Sequence, residues 1–186
     1  MSFAAELLAL PFDERDAWVD AQLGIAPPPP DVGLVQGAVP YLPCAVDDVL
    51  AAFEALALGA GARFVDVGSG LGRVTLLAHL LTGCRAHGIE LQRHLVVEAQ
   101  ARAQALGVSR HVTFEQANAA DVELDGTHFF LYAPCNGELL HRVTQRLEAL
   151  GRKQPIVVAA VDVELPSRGV LRSRPSRSDA VALYGT

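Results

Sequence analysis

Two periods of hydrophobic position alternate along the chain, and their order predicts the elements. Across residues 12–23, Phe12, Trp18, Val19 and Leu23 stand apolar among acidic neighbours, which predicts a short amphipathic helix ended by Gly24. Four prolines follow at 27–30 and predict an extended polyproline spacer without amide donors. Residues 46–58 repeat apolar side chains at helical spacing. Asp47 and Asp48 stand in the first turn, where negative charge suits the helix dipole, and Gly59 ends the run. Strand and helix patterns then alternate: 64–67 a strand, 73–82 a helix, 86–91 a strand, 94–106 a helix capped by Gly107. Further strands are predicted at 112–114, 129–132 and 156–163, with a helix at 138–150 before Gly151. Residues 170–171 and 180–184 read as two strands with no helix between them, an antiparallel hairpin at one sheet edge. The expected class is α/β, a doubly wound, mostly parallel sheet with a C-terminal antiparallel hairpin. Residues 1–45 would form an N-terminal helix, spacer and arm, and residues 46–186 the body of the domain.

Composition narrows the class without naming a function. At 186 residues the chain fits one domain. Half of it is hydrophobic (51%), yet no apolar run approaches the ~18–20 residues that span a bilayer, so no membrane association is expected. Residues 1–10 carry Glu6 and no basic stretch, unlike a secretory signal, which makes the cytoplasm the expected compartment. Cys44, Cys84 and Cys135 are odd in number and far apart, unlike a disulfide framework or a zinc site, and no metal is expected. The net charge of −6 is uneven: residues 1–60 hold nine acidic side chains against one arginine. That balance does not attract a phosphate backbone, and nucleic acid is not expected as a partner. Arg168, Arg172, Arg174 and Arg177 crowd one stretch, read as a solvated hairpin.

The chemistry concentrates in Val65-Asp66-Val67-Gly68-Ser69-Gly70-Leu71-Gly72-Arg73, a glycine loop that leaves the first predicted strand and opens a helix. Glycines there let the backbone turn tightly and present amides to a small ligand at a helix N-terminus. A dinucleotide loop reads GxGxxG, but Arg73 occupies the third glycine position and the spacing is GxGxG, which favours S-adenosylmethionine over a nicotinamide cofactor. Glu90 closes the second predicted strand twenty residues after Gly70, where an acid accepts both ribose hydroxyls. The cleft is expected at the carboxyl ends of the first, second and fourth strands.

These motifs resemble the class I S-adenosylmethionine-dependent methyltransferases, with residues 65–72 matching their first motif and Gly88-Ile89-Glu90-Leu91 their second. The arm Val39-Pro40-Tyr41-Leu42-Pro43 makes the chain most similar, within them, to small proteins related to histone and mitochondrial lysine methyltransferases. The resemblance implies a Rossmann-like methyltransferase fold. It places Asp66, Gly68 and Gly70 at the methionine end of the cofactor, Glu90 at the ribose, and Asn118 with Ala119 at the adenine, the Asn118 carbonyl toward the adenine amino group, with Ser69, Gly72, Arg73 and Leu91 among the further cofactor-binding residues. Tyr41 would sit on the arm that covers the cofactor. At the end of the fourth strand, Tyr132 and Asn136 in Leu131-Tyr132-Ala133-Pro134-Cys135-Asn136 become the candidate acceptor-side residues, with helix capping as the alternative for Asn136.

The implied reaction is methyl transfer to an unidentified acceptor, a protein lysine or a small-molecule nitrogen or oxygen nucleophile. Two other classes stay open: a non-catalytic S-adenosylmethionine-binding or partner-binding module, and a nicotinamide oxidoreductase, which Arg73 disfavours. The six histidines are scattered, and only His128 is kept as a reserve base.

Overall fold

Which positions are buried decides the architecture. Phe129, Phe130 and Leu131 are consecutive and all fully buried, which a strand allows only when both faces of its sheet are covered. They centre β4 (His128–Tyr132) in a computed structural model that describes residues 2–28, 30–166 and 169–186. Pro29 of the proline spacer and Arg168 of the arginine stretch lie outside the described residues. Parallel to β4 run β1 (Arg63–Val67), β2 (Arg85–Glu90), β3 (Val112–Gln116) and β5 (Val157–Val161). β6 (Arg172–Arg174) and β7 (Val181–Gly185) complete a seven-stranded sheet of order β3-β2-β1-β4-β5-β7-β6, with β7 antiparallel to both neighbours.

The helices are α1 (Phe3–Ala9), α2 (Arg15–Leu23), α3 (Val46–Ala55), α4 (Arg73–Thr82), α5 (Arg93–Ala105) and α6 (Gly137–Gly151). Alternate strand residues feed two cores. Phe64, Phe130 and Ala159 join the cluster containing α3 and α4, while Val65, Phe129, Leu131 and Val158 join Leu139, Val143 and Leu147 of α6. This is the doubly wound α/β class expected, with the antiparallel pair at the sheet edge. From β1 the chain winds first toward β3 and then crosses to β4, so the strand order reverses between β1 and β4. A crevice opens at the carboxyl ends of strands at such a reversal.

Several boundaries differ from the pattern. The predicted helix at 12–23 is a 3-10 turn (Phe12–Glu14) followed by α2, and α1 precedes it, capped by Ser2, whose side chain accepts from Ala5 N. α3 stops at Ala55 instead of 58, where Ala57 turns left-handed (φ 50). β5 ends at Val161 because Asp162 is also left-handed (φ 54). The strand expected at 170–171 is β6, a short way downstream, where Arg172 to Arg174 pair with Leu183 to Gly185.

Arg73 holds the N-terminal helices to the body, which corrects its expected place at the cofactor. Its guanidinium, 6% exposed, reaches Asp20 (Nε 2.9 Å) and Asp16 (Nη1 2.7 Å) of α2 and the Cys44 carbonyl (3.0 Å). Asp16 also accepts from Val46 N at 3.0 Å, capping α3 from a neighbouring helix. Leu7, Val19 and Leu23 are buried in the same cluster as Phe53 and Leu77. Arg73→Met would leave two carboxylates without their partner. Because Asp16 and Asp20 keep some solvent contact, the expected loss is about 2 kcal/mol, below the ~3–5 kcal/mol of a fully buried pair. Urea unfolding measures that loss, and cofactor affinity of the folded fraction should stay unchanged.

Candidate active site

Four strand ends and one N-terminal segment build a cleft at the strand-order reversal. Its walls are Val67 and Gly68 after β1, Ile89 to Gln92 after β2, Ala117 to Ala119 after β3, and Tyr132 to Cys135 after β4. Leu139 and Val143, one turn apart on α6, form the floor, and Leu34, Ala38, Val39, Pro40, Tyr41 and Leu42 form the roof. The room inside the cleft, counted without its open mouth, is about 90 Å³, below the ~300–1,000 Å³ of open small-molecule sites, so the roof lies close upon the floor. Of the expected residues, the cleft brings together Tyr41, Gly68, Glu90, Leu91, Asn118, Ala119 and Tyr132.

Gly70 shows why the loop needs glycine. Its φ is 52°, and an alanine methyl there would stand 2.1 Å from the Tyr41 ring. Gly72 serves packing instead, since a methyl there would stand 2.6 Å from the Phe114 ring. Gly68 N and Ser69 N both donate to the Ile89 carbonyl, at 2.8 and 3.1 Å, which draws the loop against the end of β2. The Ser69 side chain turns inward; its hydroxyl is buried, without a hydrogen-bond partner among the described residues, and faces Gly88 rather than the cleft.

Glu90, 8% exposed, accepts from Gly70 N and Gln92 N, each at 2.9 Å, one on each carboxylate oxygen. A carboxylate has about four lone-pair sites, so two remain for a pair of ribose hydroxyls. Asn118 folds back on itself: its side-chain oxygen accepts from Ala120 N at 3.0 Å. The amide nitrogen is left to address a purine, a different use from the carbonyl contact expected. The chain's donors and acceptors therefore fit S-adenosylmethionine.

Asp66 lies behind the loop, off the cleft wall. It is 3% exposed and accepts from the Thr75 hydroxyl at 2.7 Å, and burial pushes its pKa up to about 7, with nearby Glu90 adding to the rise. Tyr132 lines the cleft, with Asp162 and Asp48 among the charged groups nearest its ring. Burial, then Cys44, Asp162 and Asp48, hold its pKa above the usual phenol value, so it is a neutral phenol. Burial likewise pushes Tyr41 to about 12 and the Cys135 thiol to about 11.

Two acceptor-side expectations are corrected. Asn136 is exposed and outside the cleft; its backbone, in an extended conformation, begins α6 and donates to the Gly37 carbonyl at 2.8 Å, and its side chain makes no cap. His128 begins β4, at the end of the sheet opposite the cleft, and so is no base there; no histidine lines the cleft among the described residues. The pattern did not single out Leu139, Val143 or Gln92. Leu139 and Val143 were legible as an i,i+4 pair on the first turns of α6. Gln92 sits at the N-cap of α5, where a glutamine is unusual. Among the described residues no cluster of His, Cys, Asp or Glu could hold a metal ion, and no helix is long and apolar enough to cross a membrane.

Residues 64–155 match a protein family described as a methyltransferase domain. Over 63 residues the chain is 38% identical to geranyl diphosphate 2-C-methyltransferase of Saccharopolyspora erythraea, covering 34% of this chain and 22% of that protein. The match thus spans little more than a fifth of the curated relative's length. An RNA methyltransferase from Salinibacter ruber, solved with S-adenosyl-L-homocysteine, is similar with a TM-score of 0.61 and 25% identity, over 77% of this chain and 92% of that one. A methyltransferase from Thiobacillus denitrificans, dependent on S-adenosylmethionine and also holding S-adenosyl-L-homocysteine, gives a TM-score of 0.51 and 27% identity, over 65% and 51% of the two chains. None of these three is named as a lysine methyltransferase.

Asp66 yields a stability test. Its folded pKa is raised, so the folded state holds a proton that the unfolded chain releases near pH ~4. The stability this gives is fully present below the unfolded pKa and is lost as pH rises through about 7. Relative to Asp66→Asn, wild-type stability should fall by on the order of 1 kcal/mol per pH unit between pH ~4 and ~7 and level off above. Urea melts across that range measure it.

Proposed function

We propose that this chain, residues 64–155 of which match a methyltransferase domain, transfers a methyl group from S-adenosylmethionine to an amine nitrogen, of a protein lysine or of a small molecule. The observation that carries the reading is a single cleft lined by Gly68, Glu90, Asn118 and Tyr132, from the ends of four different strands. Bound there, S-adenosylmethionine would supply a methyl group on a sulfonium, to be taken by the acceptor lone pair with the carbon–sulfur electrons returning to sulfur.

The chain's own contribution is placement and exclusion of water. Glu90 takes the ribose hydroxyls, Leu91, Ala119, Leu139 and Val143 pack the adenine, and residues 34–42 cover the site. Tyr132 is a neutral phenol, and its oxygen can accept an acceptor N–H and turn the nitrogen lone pair toward the methyl group. An amine suits this cleft better than a hydroxyl. A hydroxyl needs a base during transfer, whereas an amine needs only to arrive neutral. Asp48 and Asp162 beside Tyr132 favour a basic group and oppose a phosphate backbone, which is the ground for keeping nucleic acid out of the reading.

Calorimetry with S-adenosylmethionine, S-adenosylhomocysteine and NAD tests the cofactor. Micromolar binding of the first two, none of NAD, and loss of at least a hundredfold in affinity in Glu90→Ala are expected. Binding of NAD alone, or of nothing, overturns the reading.

The acceptor side is tested by methyl transfer to a panel of lysine peptides and small amines, against hydroxyl acceptors. Tyr132→Phe should lower kcat/KM for the amine about a hundredfold with cofactor affinity unchanged. Binding without turnover on any acceptor would leave a cofactor-binding module instead.

A further inference from the structure

The roof of the cleft is fastened by a ring of hydrogen bonds that runs through one buried side chain. Gln92, 4% exposed, starts α5 but makes no cap with its side chain. It reaches across to the segment above: Gln92 Nε2 donates to Asp31 Oδ1, and Gln92 Oε1 accepts from Val32 N, both at 2.7 Å. The same Asp31 oxygen accepts from Tyr41 N at 3.0 Å. Tyr41 lays its ring on Gly70, Gly70 N donates to Glu90, and Glu90 accepts from Gln92 N. The circuit Gly70, Glu90, Gln92, Asp31, Tyr41 closes on itself.

Apart from the Tyr41 ring on Gly70, apolar burial does little to hold the near end of this segment. Val32, Val35 and Leu42 are 66%, 43% and 60% exposed, so removing them from water contributes little there. The far end is tied by backbone bonds, Val39 N to the Pro134 carbonyl at 3.2 Å and Asn136 N to the Gly37 carbonyl at 2.8 Å. What keeps the near end down is Gln92, which offers a donor and an acceptor at once from a fixed helix start. A side chain with only one of the two could not hold both the Asp31 carboxylate and the Val32 amide.

We propose that Gln92 is a positioning residue that locks residues 31–42 over the cleft and thereby sets how long the cofactor stays bound. The claim rests on the S-adenosylmethionine reading above for its ligand, but not for its geometry. Because Glu90 both receives the ribose and holds the Gln92 backbone, cofactor seating and closure share one carboxylate, and a bound ribose tightens the support beneath the lock. Release then requires the Gln92 contacts to Asp31 and Val32 to break first. Gln92 touches neither reacting atom; it acts through Tyr41 and Asp31.

The test uses three forms of the full chain besides wild type. Gln92→Met keeps the length and packing of the side chain and removes both contacts. Gln92→Glu sets a carboxylate against Asp31. Asp31→Asn combined with Gln92→Glu reverses donor and acceptor between the two side chains and restores that contact, while the Tyr41 amide loses the oxygen it shared. Amide hydrogen exchange at Val32 and Tyr41 reports the lock without any ligand, and release of S-adenosylhomocysteine, chased with excess S-adenosylmethionine in a stopped-flow instrument, reports residence.

In Gln92→Met we expect both amides to lose protection and release to quicken about tenfold, with KM for S-adenosylmethionine raised and kcat kept. Gln92→Glu should release faster still at pH 8, and the double variant should regain protection at Val32 and slow release again, while Tyr41 stays less protected than in wild type. Unchanged exchange in Gln92→Met overturns the lock. Lost protection without faster release overturns the link to residence, and failure of the double variant to recover overturns the paired contact as its cause. Wild type that binds neither nucleoside overturns the cofactor reading and the residence claim together, while the exchange data still decide whether Gln92 holds the segment.

Discussion

The two oxygens of Glu90 hold together the parts that must stay in register for the cleft to exist. One receives the amide of Gly70 in the loop after β1, the other the amide of Gln92 at the start of α5. Neither amide has a partner within a strand or helix, and a buried amide left unpaired costs about 1–3 kcal/mol. The loop and the helix start are therefore fixed relative to the end of β2 by one ionised group. Its charge also suits the partial positive charge at the helix N-terminus beside it. An uncharged acceptor of the same shape would satisfy the two amides less strongly and offer a weaker seat to ribose hydroxyls, since hydrogen bonds to charged groups are roughly twice as strong. Structure and ligand binding thus draw on the same group, which is why a carboxylate stands at a position only 8% exposed.

Around that fixed point the N-terminal 45 residues act as a second layer rather than a tail. Arg73 emerges from the first turn of α4, directly after the glycine loop, and clamps α2 through Asp16 and Asp20. Arg15 of α2 in turn pairs with Asp47 of α3. Three of the nine acids in the net-negative N-terminal stretch, Asp16, Asp20 and Asp47, are spent inside the molecule, on Arg73, Arg15 and the first amide of α3. Near the cleft, exposed Asp31 and half-buried Asp48 from this stretch and exposed Asp162 from beyond β5 give the mouth its sign.

The fold was legible because its signals are local. The parallel strands announce themselves as short apolar runs, the helices end at Gly24, Gly83 or Gly107 in left-handed conformation, and the GxGxG loop with Glu90 names the ligand edge. What escaped was fixed by distant partners. Arg73 reads as a residue of the ligand loop, and only the packing of α2, more than fifty positions away, shows that its side chain faces the other way. Asn118 reads as a purine acceptor until the turn to Ala120 is seen to use its carbonyl. Gln92 carries no motif at all; its two contacts reach back sixty and sixty-one residues. α1 and the 3-10 turn were missed for a different reason, since seven and three residues are too few for periodicity to show.

Backbone strain gathers where the acceptor would stand. Ala133 and Asp162, immediately after β4 and β5, both hold positive φ (34° and 54°), a conformation that costs a non-glycine residue on the order of 1 kcal/mol. Such geometry persists only when its surroundings over-determine it. Here Ala133 N is bound to the Val161 carbonyl, and the next residues are bound on the other side by Val39 and Gly37 of the roof. The roof segment is therefore more than a cover. By pairing Ala38 against Cys135 it holds the end of β4 where Tyr132 lines the cleft. A segment that lifts at its near end while staying paired at 37–39 can admit a cofactor without releasing the acceptor wall, and this division of labour explains why the two ends are fastened by different means, side-chain contacts to Gln92 at one and backbone pairing at the other.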